Sequence, residues 1–316
     1  MSPRIRSSFT SLIWLTLAGL PALHADVTLR YKSEITINPN LPPQFAQQIQ
    51  QAVGSNFPPD QTLRLKDNRI FNEFGKLSSI FDFSKGEITL LDPTGKRFAI
   101  VPADRYGDEM AAAVSGITGQ AKAAMPGMTA HTESRVTGRT ATIQGVAAEE
   151  REITFTVEGP PMPNMPAGPM QKLVIHMWTA KAGEAERVPA IGELAKHDLM
   201  QLAGVDPFAT VAKMLEQMPG MKDALATMMK EMHAAASHVS LRMETEVFVP
   251  MLSALMKQAG GASDADTALV HATLEVSEIS TAPVPDSAFQ VPEGYQSAPA
   301  ADLLKDMLRP KTPAAR

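Results

Sequence analysis

The stretch KLSSIFDFSKGEITLLDPTGKRFAIV, residues 76–101, decides how this chain folds. Apolar and polar residues alternate along it, and turn chemistry interrupts the alternation at Ser84-Lys85-Gly86 and again at Asp92-Pro93-Thr94-Gly95. Ile88 and Leu90 alternate with Glu87 and Thr89, as Phe98 and Ile100 do with Arg97 and Ala99. Period two marks strands with one oily and one wet face. Connections this short join antiparallel neighbours, so the stretch reads as a three-stranded meander.

The same pattern spreads outward. In DVTLRYKSEITI (26–37), Val27, Leu29, Tyr31, Ile35 and Ile37 share a face on which Ser33 is the one gap. Residues 38–54 follow as a short amphipathic helix, with Asn40 as cap and Phe45, Ile49 and Val53 on its stripe. QTLRLKDN (61–68) places Leu63 and Leu65 together before a reversal at Asp67-Asn68. Further strands are read in 129–159, 171–181, 238–249 and 268–280, and helices in 103–124, 189–233, 251–260 and 302–308. The proline-dense 159–169 is a loop. About ten antiparallel strands with helices inserted in blocks define an α+β fold around one large curved sheet. Its oily face needs a cover, and the inserted helices are the elements available to supply it.

Residues 1–25 read as a secretory signal: Arg4 and Arg6, an apolar run from Phe9 to Leu20, and a small Ala25 before Asp26. The run is too short to span a bilayer, and no later segment reaches the ~20 apolar residues required. The remainder carries 27 basic and 34 acidic residues, a formal net charge of −7, which disfavours a polyanionic partner such as nucleic acid. Cys is absent, which removes disulfides, thiolate nucleophiles and the lipid-attachment residue of a bacterial lipoprotein. The expected location is periplasmic or secreted.

Methionine is concentrated: 16 of 19 lie between 125 and 256, and MPGM occurs at 125–128 and 218–221, with MPNM at 162–165. Met221, Leu225, Met228, Met229 and Met232 fall on one helical stripe, and Phe208, Val211, Leu215 and Met218 on another, with a Pro219-Gly220 break between. Three readings follow: ordinary core, an adaptable apolar groove, or a Cu(I) site of thioethers with His131 or His233 nearby. Burial-seeking stripes favour the first two, and no cofactor is expected.

No catalytic constellation is legible. There is no G-x-S-x-G elbow, H-E-x-x-H, G-x-G-x-x-G or P-loop, and His176 and His271 read as structural strand residues. Glu149, Glu150 and Glu152 with Arg151 read as a solvated strand end.

Three blocks carry a resemblance. They are SSIFDFSKGEITLLDPTGKRFAIVP (78–102), TGRTATIQGVAAEEREITFTVEG (137–159) with KLVIHMWTA (172–180), and LEVSEISTAPVPDSAFQVPEGYQ (274–296). The most specific piece is Pro285-Asp286-Ser287-Ala288-Phe289 with Pro292-Glu293-Gly294-Tyr295. Together these resemble the LolA-like periplasmic proteins, outer-membrane lipoprotein carriers and related exported proteins, over about 27–296. The resemblance implies an incomplete antiparallel β-barrel whose concave apolar face is roofed by helices and able to hold acyl chains. The expected organisation is a signal (1–25), one half-barrel domain (26–299) with a Met-rich helical insertion at about 189–233, and a C-terminal helix and tail (300–316).

The function expected is non-catalytic binding of an apolar ligand, a lipid or the acyl part of a lipoprotein. The groove residues expected are Leu29, Tyr31, Phe155, Leu173, Ile175, Met218, Met221, Met228 and Met232. The alternative, from another class, is an envelope interaction or scaffold protein whose core is filled by its own side chains. Oligomeric state is left open.

Overall fold

A computed structural model describes residues 26–54, 60–74, 77–110, 112–113, 127–159, 169–197, 222–236, 239–253 and 267–308. The expected signal, the MPNM loop, and Met218 and Met221 lie outside the described residues. Among the described residues, twelve strands form one open sheet. In chain order they are β1 Val27–Ile37, β2 Asp60–Lys66, β3 Arg69–Phe74, β4 Leu77–Asp82, β5 Glu87–Asp92, β6 Arg97–Pro102, β7 Thr129–Ile143, β8 Val146–Glu158, β9 Pro169–Ala180, β10 Ser240–Phe248, β11 Val270–Ser280 and β12 Gln296–Ser297. The spatial order is β12-β6-β5-β4-β3-β2-β1-β11-β10-β9-β8-β7, antiparallel throughout except where β12 joins β6 in parallel.

Turn chemistry produces the meander. Asp92 accepts backbone N–H bonds from Thr94 and Gly95 at 3.0 and 2.9 Å, closing the β5–β6 reversal. Gln144 and Gly145, at φ 48° and 76°, supply the left-handed pair that a tight β7–β8 hairpin requires. Register then aligns the oily sides: Val27 and Leu29 oppose Leu65 and Leu63, Leu65 opposes Ile70, and Ile70 opposes Phe81. Leu29, Leu65, Ile70 and Ile88 are fully buried in this main core, each burial contributing about 1.5–3 kcal/mol.

Helices cover this face. After β9 the chain turns through Gly183 into α2 (Glu184–Arg187) and α3 (Pro189–Ala195), whose Ala190, Ile191 and Leu194 enter the main core. The C-terminal segment wraps the β6 edge. A 3-10 turn, Asp286–Phe289, packs Phe289 with Ile80 and Leu91, forming a second small core. Then β12 pairs along β6, and the terminal helix Ala300–Leu308 seats Leu303 and Leu304 in the main core. This wrap corrects one expectation: on β6 the buried residues are Ala99 and Val101, while Ile100 is 53% exposed. Phe98 packs in the second core, because here both faces of the sheet are covered.

The long strands behave differently. On β8 the buried positions are Val146, Ala148 and Glu150, then Ile153, Phe155 and Val157, with the polar Thr156 buried beside them. The buried apolar set changes parity where the register against β7 shifts, between Val136 and Thr140, while the pairing with β9 runs on, so the two halves of one strand bury opposite faces. Val146 and Ala148 belong to the main core, whereas Ile153, Phe155 and Val157 form separate clusters with a helix rich in methionine.

Candidate functional site

That helix, α4 (Lys222–Ala236), lies between β9 and β10 in the chain and packs on β7–β9. Ala224, Leu225, Met228 and Met232 recur at helical spacing and form the contact stripe. Phe155, Val157 and Leu173 lie under its first turns, and Ile153, Ile175 and Met177 under its last. Two polar contacts fix the seat. Thr132 Oγ1 donates to the Ala224 carbonyl at 2.5 Å, and Arg151 donates to Glu231 at 3.0 Å while also reaching Ser134 Oγ at 3.2 Å.

Across the sheet a second helix, α1 (Pro43–Gly54), rests Ala46 and Ile49 against Ile35, Ile37, Val247 and Val270. Phe45, expected on that buried stripe, is 46% exposed instead. Between the two helices runs a shallow trough lined by Ser33, Ile35, Met243, Thr245, Ala272, Thr273 and Leu274. Its free volume is about 10 Å³, room for roughly one water. Small side chains opposite one another create it. Ile35 faces Ala272, which faces Thr245; Ser33 faces Leu274, which faces Met243.

Both rows continue in register under α4. Thr245 opposes Ile175, which opposes Ile153; Met243 opposes Met177. The open trough and the floor of the methionine-rich helix are therefore one surface. Of the expected groove residues, Phe155, Leu173, Ile175, Met228 and Met232 come together here. Leu29 does not join them: it is sealed in the main core, with Tyr31 half-buried against the same cluster and its phenol pushed up by burial. The trough residues Ser33, Thr245 and Ala272 were missed because they are small, and their signal was a gap in an otherwise oily row.

The opposite face of β7–β11 is polar and ordered. Glu150, expected at a solvated strand end, is 1% exposed. Arg139 and Thr137, from the irregular part of β7, fold over it, and His176 Nδ1 lies 2.9 Å from its carboxylate. Arg135 grips Glu152 through two bonds of 2.9 and 3.0 Å and holds that carboxyl below its ordinary range. The Arg139 and Arg242 guanidiniums each lie over the Trp178 ring, 5.8 and 5.6 Å from its centroid. Among the described residues, no group of three or more His, Asp or Glu side chains is disposed to hold a metal ion.

No described helix is long and apolar enough to cross a membrane. Compared with protein-family models and with curated proteins, the sequence matches none.

Proposed function

We propose that the protein is an exported, non-catalytic binder of an apolar ligand, a lipid or the acyl portion of a lipoprotein. The sheet would act as a half-barrel of the LolA-like kind, with α4 as its movable cover. One observation carries this reading: two cross-strand rows run unbroken from the open trough into the floor beneath Met228 and Met232. Lifting α4 would lengthen the trough along a surface already apolar, and unbranched thioethers can repack around a chain of variable length. Each methylene taken from water then contributes about 0.8 kcal/mol. Lipid extraction and native mass spectrometry of the purified protein test it. Co-purified lipid and a melting temperature raised by added fatty acid are expected; a lipid-free protein indifferent to fatty acid overturns it.

The tight seat of α4 on Phe155, Leu173 and Ile175 favours a second reading, in which the protein's own side chains fill the site and the molecule is an envelope scaffold. The same extraction separates the two.

A further inference from the structure

The two edges of the sheet are treated differently. The β6 edge is closed by β12 from the same chain. The other edge is β7, whose 15 residues make it the longest strand, and among the described residues no strand pairs with its outer side. An open edge is a row of backbone donors and acceptors ready to pair with another strand. Its straight part is Thr129–Val136, about 27 Å at strand rise. Beyond it the register shifts between Val136 and Thr140, where Gly138 sits at φ 78°.

We propose that this edge pairs with the same edge of a second copy, β7 antiparallel to β7, forming a twofold dimer with a continuous sheet. A twofold axis perpendicular to the sheet keeps like faces together, so residues that oppose one another must share parity. Of the registers this permits, centring on Ser134 sets Glu133 against Arg135 of the other copy, twice over, on the polar face. Thr132 then faces Val136, which is 61% exposed on the opposite side of the strand. A two-residue slip either way centres on Glu133 or on Arg135 and brings like charges face to face, which is destabilising. Arg135 stays 71% exposed while bonded to Glu152, so it remains within reach of a partner. Within Thr129–Val136 this is the one register that sets a carboxylate against a guanidinium.

Sedimentation and cysteine cross-linking test this, helped by a natural chain without cysteine. The purified protein should be a dimer at micromolar concentration. Glu133→Arg should weaken association about tenfold or more, and the swap Glu133→Arg with Arg135→Glu should restore it. Under oxidation Ser134→Cys should give a covalent dimer. Thr129→Cys should not, because the pair would stand about 34 Å apart. A monomeric wild type means that Glu133 and Arg135 guard the edge against pairing, and overturns the proposal. A dimer indifferent to Glu133→Arg, or one cross-linked equally through position 129, overturns it too.

Discussion

Asp92 closes its own turn and then does a second job. Its carboxylate takes the Arg97 guanidinium at 2.6 Å, and Arg97 in turn reaches Asp306 on the terminal helix at 2.9 Å. Burial works against the charged form, but bonds from Gly95, Arg97 and Thr94 outweigh it and hold the carboxyl below the ordinary 3.8. A carboxyl lowered in the folded state stabilises fully above its ordinary value, and that stabilisation is lost as pH falls below it. Asp92→Asn should therefore lower the denaturation midpoint at neutral pH and flatten its decline below about pH 4, read by urea unfolding across pH. A variant whose acid profile matches wild type would show the clasp to be idle. Gly192 is a steric case. A Cβ there would lie 2.3 Å from the Ala185 carbonyl oxygen, where α3 meets α2. Gly192→Ala should cost about 1–3 kcal/mol in chemical denaturation, since backbone must yield.

Among the elements, how much was legible depended on how many faces are covered. β1 reads directly because one side is wet, and Val27 and Leu29 are buried as alternation requires. β6 misleads because the C-terminal wrap covers its second face, so Val101 is buried in the main core while Phe98 packs half-buried against the second. β8 misleads at Glu150, whose partners Thr137 and Arg139 sit on a β7 irregularity that only Gly138 marks in the sequence. The motif Pro285–Phe289 turns out to staple the sheet: Asp286 pairs with Lys66 and Arg69, and Arg69 lies over the Phe289 ring at 4.8 Å. The wrap beyond it bears weight, so Leu303→Ala should cost about 2–5 kcal/mol by thermal unfolding. For α4 the effect should be local. Arg151→Ala removes its tie to Glu231, and amide exchange in 222–236 should quicken several-fold while β8 and β9 stay protected. Equal acceleration everywhere would mean that the helix has no opening of its own.

At the scale of the whole molecule, twelve strands among the described residues form one open sheet, its main core covered by α2, α3 and the terminal helix and its smaller apolar clusters by α1 and α4. The fold class was accessible from alternation and turn residues, because both are local. The trough was not, because it arises from small residues on three strands made neighbours by pairings such as β1 with β11, far apart in sequence. Its place predicts where a ligand must lie. Titration of a fluorescent fatty acid into wild type and Ala272→Trp is the most direct measurement, with Ile100→Trp as a control remote from the trough and circular dichroism confirming that each variant is folded. Wild type and the control should bind saturably, and the Ala272→Trp indole, standing between Ile35 and Thr245, should weaken binding at least tenfold. No saturable binding by wild type, or undiminished binding by folded Ala272→Trp, would contradict an apolar ligand held along this surface.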